Sequence, residues 1–266
     1  MNTLLFLKLG GSAITDKTRE AAAREDVIRW IAREVRAARE QQPDLSILLG
    51  HGSGSFGHFT AEKFGYRRSG NWQAYAETGA SAARLNRLVA DIFLAEGVPV
   101  VTMQPSASAR CRDGELVELA VEPIRTALAH GLIPLVYGDV AFDETRGRWI
   151  VSTEMIFAYL APQLKPARIV LAGNVDGAFT ADPLQDASAR LIPEITPANA
   201  VQIESQLRGS HGYDVTGGML AKVRTMLALV ERQPAITVIL TSALKPGSVE
   251  RALTRADVDV GTVIHA

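Results

Sequence analysis

The chain has a single cysteine, Cys111, in 266 residues, which excludes an intramolecular disulfide framework and a zinc site built from several thiolates. An excess of one charge is missing too, because 28 Lys and Arg stand against 29 Asp and Glu, for a formal net charge of -1. No basic field exists to gather nucleic acid or an anionic membrane, so neither is expected as a partner, and any anion must be held locally. Aromatic residues are few, at 6%, while hydrophobic residues make up 47% and charged residues 21%. These proportions exclude disorder, collagen-like repeats and coiled coil. The apolar run over residues 4–7 is far too short for a membrane span or a signal core and reads as a buried strand. A reducing compartment, the cytoplasm, is the simplest setting for a chain with one thiol.

What the chain does have is alternation. Residues 3–9 read as a strand ended by Gly10 and Gly11, after which Val27, Ile31, Val35 and Ala38 recur at helical spacing. Further strands are expected over 45–49, 98–103, 132–137, 168–171 and 236–240, and helices over 72–96, 123–130, 155–160 and 217–231. Residues 140–151, charged around Arg146, read as an exposed hairpin, and 173–197 as turns and a polar connection. Alternating β and α argue for an α/β fold, a three-layer αβα sandwich with a mostly parallel central sheet. No linker interrupts the pattern, so a single domain over 1–266 is expected, with one lobe over 1–165 and a second over 166–266.

Three glycine-rich segments stand at strand ends or helix starts. In Lys8-Leu9-Gly10-Gly11-Ser12 the paired glycines let backbone N–H groups approach an anion, with Lys8 adding a point charge. An ordinary turn with a lysine nearby is the bland alternative. Residues 50–58, GHGSGSFGH, place four glycines, two serines and two histidines directly after a strand. Each glycine costs roughly 1 kcal/mol relative to alanine in regular structure, so something must approach that backbone closely. His58 falls at or near the first turn of the next helix, where it could donate to an anionic oxygen. His51, His130, His211 and His265 read as structural. In residues 214–222, DVTGGMLAK, a glycine pair opens a helix and Lys222 follows one turn later, an arrangement an N-capped surface helix would equally produce. Weaker signals are Lys17, Gly138-Asp139, Asp176 and Asp182; aspartates in such turns usually cap backbone.

No P-loop and no kinase His-Arg-Asp loop is present. Gly52, Gly54 and Gly57 match a dinucleotide-binding spacing, but no acidic residue ends a strand about twenty residues on, so that reading ranks low.

Taken in order, KLGGSAITDK (8–17), GHGSGSFGH (50–58), GDV (138–140), NVDGAFTADP (174–183) and DVTGGMLAK (214–222) resemble the amino-acid kinase superfamily. The histidine closing GxGSFGH narrows the resemblance to its isopentenyl phosphate kinase branch and the related fosfomycin kinases. The resemblance implies the amino-acid kinase fold, ATP with Mg²⁺, isopentenyl phosphate as acceptor, and a homodimer. It further implies that Lys8, Gly10, Gly11, Ser12 and Gly54 line the triphosphate and that Lys17 stabilises the transferring group. Ser53, His58 and Gly138 would hold the acceptor phosphate, and Asp176, Gly218 and Lys222 would belong to the nucleotide side. Lys8, Lys17 and His58 would be catalytic, and no residue is expected to hold a metal. Ser152-Thr153-Glu154-Met155 departs from the family's usual Ser-Gly-Asp-Asp, with Glu154 in the place of an aspartate that orients the lysines. Phe64, Tyr66, Trp72, Tyr75 and Ile92 are candidates to line a prenyl pocket or to be ordinary core. Competing readings are a kinase acting on fosfomycin, a nucleoside monophosphate or an amino-acid carboxylate, and a non-catalytic nucleotide-binding regulator.

Overall fold

The computed structural model describes residues 3–66, 71–208, 218–255 and 261–266. Asp214, Val215, Thr216 and Gly217 of the third glycine segment, and His211, lie outside the described residues.

The chain opens as expected with β1 (Thr3–Leu9), α1 (Gly11–Ile14), α2 (Glu25–Gln41), β2 (Leu45–His51), α3 (Gly54–Lys63) and α4 (Trp72–Ala95). Then come β3 (Val100–Thr102), β4 (Arg110–Arg112), β5 (Glu115–Glu118), α5 (Glu122–Ala129), β6 (Ile133–Tyr137), β7 (Asp139–Asp143) and β8 (Gly147–Val151). The second part holds α6 (Thr153–Leu164), β9 (Arg168–Gly173), β10 (Glu194–Ile195), α7 (Ala200–Arg208), α8 (Gly218–Arg232), β11 (Thr237–Ser242), α9 (Ser248–Thr254) and β12 (Thr262–Ile264).

One eight-stranded sheet runs β10-β12-β11-β9-β1-β2-β6-β3, parallel except where β12 runs antiparallel to β11 and carries β10 with it. Side chains alternate along each strand, and β1 shows how this makes three layers. Leu5, Leu7 and Leu9 enter a core with Ile28, Ile31 and Val35 of α2, Leu85, Val89 and Phe93 of α4, and Val249 and Leu253 of α9. Phe6, between them, points to the opposite face, where it packs with Phe157 and Leu160 of α6 and Val223 and Met226 of α8. Lys8 shares the parity of Phe6, so the pleat aims it at the α6 and α8 side, and it is 8% exposed.

Three differences from the sequence reading have physical causes. The hairpin over 140–151 is not an exposed excursion: β7 is largely buried, because β4 pairs with it on one edge and β8 on the other. A second, four-stranded sheet, β5-β4-β7-β8, results. Its members β4 and β5 are too short and polar to carry a periodic signal. The connection after residue 183 is not wholly irregular, since β10 adds to the sheet edge and α7 packs on α8. Ile92 takes the second of the two roles open to it and lies in the core beneath α4.

Candidate active site

The C-terminal ends of parallel strands are where an open α/β sheet presents its loops, and β1 and β2 are neighbours there, with Lys8 opposite Gly50 and Leu9 opposite His51. The turns that follow them therefore emerge side by side. After β1, Gly10 donates to Ala172 O (2.7 Å) and the four-residue α1 begins at once. After β2, Gly52 donates back to Leu9 O (3.0 Å), tying the second turn to the first, and α3 begins at Gly54.

The glycines of the second turn make room for the protein itself, so the close approach expected there is made by the protein's own atoms. A Cβ on Gly50 would lie 2.5 Å from Thr153 Cγ2, on Gly54 2.2 Å from Thr15 Oγ1, and on Gly57 2.3 Å from Ser53 Oγ. A Cβ on Gly52 would come 3.0 Å from the amide nitrogen of Gly11, and one on Gly11 2.6 Å from that of Gly54. The two turns thus touch backbone to backbone. Their closeness matters because, among the described residues, no acceptor takes the N–H of Gly11, Ser12, Ser53 or Gly54. Donors left open at adjoining helix starts form a cradle for anionic oxygen.

Lys8 supplies the positive charge beneath this cradle. Its ammonium is hydrogen-bonded and ion-paired to the carboxylate of Glu154, both side chains being about nine-tenths buried. Ser152 caps α6 by accepting from Met155 N–H (3.2 Å), which puts Glu154 in the helix's first turn, where the dipole favours negative charge. Burial alone pushes the Glu154 carboxyl up, but Lys8 and Lys222 outweigh it and hold the group below the usual carboxylate range. The segment that departs from the family's pattern is therefore an ordinary capped helix start, with Glu154 placed between two lysines.

His51, expected to be structural, is fully buried and stacked on Tyr137 with the rings 5.5 Å apart. Its Nδ1 meets Gly52 O and its Nε2 the Asn86 side chain, each at 3.1 Å. Its carbonyl accepts from Gly138 N–H (2.9 Å) and from Thr153 Oγ1 (2.6 Å), so it joins the second turn to β7 and α6. Burial lowers its pKa to about 4, outweighing these bonds, so the ring is neutral.

The structure thus brings together Lys8, Gly10, Gly11, Ser12, Ser53, Gly54 and Gly138, the last with its Cβ position 3.7 Å from the Ser53 nitrogen. His58 is half-buried one turn into α3, as expected near the helix start, and lies edge-on to Phe59. Lys17 is exposed on the segment after α1. Gly218 starts α8 with a left-handed φ of 60°, and Lys222 follows one turn on. Asp176 is exposed beyond β9, with Lys245 Nζ 3.9 Å from its carboxylate. Asp182 caps its turn through Leu184 N–H (3.0 Å). Sequence reasoning missed Thr15, Asn86 and Thr153, single polar residues whose partners are remote in the chain; no local signal marks them.

Phe64, Tyr66, Trp72 and Tyr75 gather where α3 and α4 meet the small sheet. Tyr75 stacks on Phe142 (4.9 Å), Trp72 meets both, and Tyr66 donates to Trp149 O (2.9 Å).

An α/β kinase with glycine turns at the strand ends is the class these features define, and comparison with known proteins agrees. The profile of the amino acid kinase family matches residues 3–242. The isopentenyl phosphate kinase of Methanothermobacter thermautotrophicus is 34% identical, over 96% of this chain and 97% of its own. A solved isopentenyl phosphate kinase superposes with a TM-score of 0.82 at 32% identity, covering 98% of this chain and 99% of that one. The Thermoplasma acidophilum isopentenyl phosphate kinase, solved as a product complex, gives 0.75 at 26% identity, covering 99% and 100%. The chain belongs to the amino acid kinase family and, within it, to the isopentenyl phosphate kinases.

Proposed function

We propose that this protein transfers the γ-phosphoryl group of ATP to isopentenyl phosphate, giving isopentenyl diphosphate and ADP. The observation that carries the reading is the contact of two turns, each with two open backbone N–H groups, above a buried lysine. Two cradles in contact suit a reaction between two anions.

A phosphate monoester loses its second proton at about pH 6, so near neutrality its oxygen attacks without a general base. A bond forms from that oxygen to the γ-phosphorus while the bond from γ-phosphorus to the bridging oxygen breaks, and the electron pair leaves on ADP. The obstacle is repulsion between two polyanions, which fixed N–H donors and cations relieve. Lys8, Gly10, Gly11, Ser12 and Gly54 line the triphosphate, and Lys17 neutralises the group in transit. Ser53, His58 and Gly138 hold the acceptor phosphate. Asp176, Gly218 and Lys222 serve the nucleotide, so the lobe over 1–165 takes the acceptor and that over 166–266 the nucleotide. Glu154 orients Lys8 and balances Lys222. The aromatic group at Phe64, Tyr66, Trp72 and Tyr75 receives the prenyl tail.

Among the described residues no group of three or more His, Cys, Asp or Glu side chains could hold a metal ion, and Glu154 is committed to Lys8. On this reading Mg²⁺ would come with the phosphate oxygens of ATP and would help to neutralise them. No helix among the described residues is long and apolar enough to cross a membrane. A homodimer in the cytoplasm completes the reading.

The test is ADP release with isopentenyl phosphate beside fosfomycin, a nucleoside monophosphate and an amino-acid carboxylate. Isopentenyl phosphate is expected to give the highest kcat/KM. A different preferred acceptor overturns the substrate, and tight ATP binding with transfer to none of them overturns the enzyme.

A further inference from the structure

We infer that Thr15 sets the spacing of the two anion-binding turns and is thereby a positioning residue for phosphoryl transfer, an inference that rests on the kinase reading above. Thr15 follows α1 and is fully buried. Its Oγ1 donates to the carbonyl of Gly11 in the first turn (2.6 Å) and accepts the N–H of Ser55 at the start of α3 (2.9 Å). Its own N–H also donates to Gly11 O (3.0 Å). One hydroxyl is thus bonded to both turns at the place where their backbones meet.

The contact leaves no slack. Gly54, at a left-handed φ of 51°, has its Cβ position blocked by Thr15 Oγ1 at 2.2 Å and by Gly11 O at 2.9 Å. The hydroxyl works as a spacer between Gly11 and Gly54. It also divides the donors of α3. Ser53, the residue before the helix, makes no side-chain cap, so Thr15 caps the helix at Ser55 from elsewhere in the chain. That consumes the Ser55 N–H and leaves those of Ser53 and Gly54 for an anion. The same threonine leads into the segment that bears Lys17, which returns through a bridge from Thr15 to Ala23 and a bond from Ala22 N–H to Ser55 Oγ (3.2 Å).

Such a spacer acts on geometry shared by two ligands. Without the hydroxyl, the first turn still holds the nucleotide and Ser53 and Gly138 still hold the acceptor, but the distance between the turns, where Gly54 meets the triphosphate, is no longer fixed. In-line transfer needs reacting atoms within about 3.5 Å, and a misplacement of about 1 Å can cost on the order of a hundredfold.

Thr15→Val keeps the shape and removes both bonds; Thr15→Ser keeps the bonds. We expect Thr15→Val to lower kcat by about thirtyfold or more while both KM values stay within about threefold, and Thr15→Ser to recover most of the rate. Adenosine 5′-tetraphosphate, long enough to span both cradles, gives a readout that needs no acceptor. Wild type is expected to bind it more tightly than ADP, and Thr15→Val to lose about tenfold of that advantage with ADP affinity nearly unchanged. Thr15→Ala takes the place of the valine variant if that protein does not fold. Wild-type kcat in Thr15→Val, equal weakening of ADP and tetraphosphate, no tetraphosphate advantage in wild type, or no rescue by serine would each overturn the inference. A wild type inactive on isopentenyl phosphate defeats the reading of function alone, because the tetraphosphate comparison still decides the role of Thr15.

Discussion

Lys8 and Glu154, 146 residues apart in the chain, form a buried ion pair directly under the glycine turns. The pleat of β1 and the cap of α6 fix where each points, so the ammonium faces the cradle from a defined position. The carboxylate also lies in the field of Lys222 on α8, so it feels both lysines at once.

Glu154→Gln should therefore damage both rate and stability. Removing one charge from a buried pair leaves the other uncompensated, at a cost of about 3 to 5 kcal/mol. Because the folded pKa is lowered, the contribution of Glu154 is present above its ordinary carboxylate value and is lost as pH falls through the folded one. Unfolding midpoints of wild type and Glu154→Gln should thus differ at neutral pH and converge in acid. Equal midpoints at neutral pH would mean that the pair contributes nothing to the fold.

Lys17→Ala and His58→Ala test the reacting end of the site. Lys17 is exposed and His58 half-buried, so neither holds the core together. Each variant should keep an unfolding midpoint within about 2 °C of wild type and lose about a hundredfold or more in kcat, the loss typical of a removed transition-state donor. Wild-type-like turnover by either variant removes that residue from the mechanism.

The sequence revealed the site's charges and turns more readily than its contacts. Lys8 was visible as a charge beside paired glycines at a strand end, and the glycines because backbone that bends there can approach an anion. That β1, β2, β9 and β11 are strands followed from alternation, which is local. Partnerships across the fold left no such trace. Thr15 reads as one polar residue in a turn, and its bonds to Gly11 and Ser55 depend on two loops meeting. The glycines of residues 50–57 showed that something approaches that backbone closely, but not that Thr153, Thr15 and Ser53 are what approaches. Of the small sheet only the β7–β8 hairpin was legible, because β4 and β5 are stabilised by β7 and a shared turn rather than by their own pattern. There the Asp143 carboxylate accepts the N–H groups of Asp113, Gly114, Thr145 and Arg146.

His51 should make stability fall in mild acid. Its folded pKa of about 4 lies below the ordinary histidine value of 6.5, because burial disfavours the charged ring. The unfolded chain then binds more protons between those limits, so stability is complete above about pH 6.5 and is lost as pH falls toward 4. The whole effect is on the order of 3 kcal/mol, from a displacement of roughly 2.5 units. His51→Gln, which has no titrating group, should show a flatter stability profile over that range. Parallel profiles for the two proteins would place the acid sensitivity elsewhere.

Glu34 gives the contrasting case, a buried carboxylate that serves the fold and not the reaction. It lies on α2 and accepts the N–H groups of Gly247 (2.6 Å), Val249 (3.0 Å) and Glu250 (3.0 Å), while the Trp30 indole donates to it as well. It thereby caps α9 from a neighbouring helix and fastens that helix beside β9 and β11. Glu34→Ala leaves three helix-start donors and the indole without an acceptor, at a cost of about 3 kcal/mol, equivalent to a midpoint lowered by roughly 6 to 10 °C. No part of the proposed machinery touches Glu34, so kcat at 25 °C should stay within about twofold of wild type. A variant that keeps its midpoint but loses turnover would show that α9 takes part in catalysis and would reverse this division between scaffold and site.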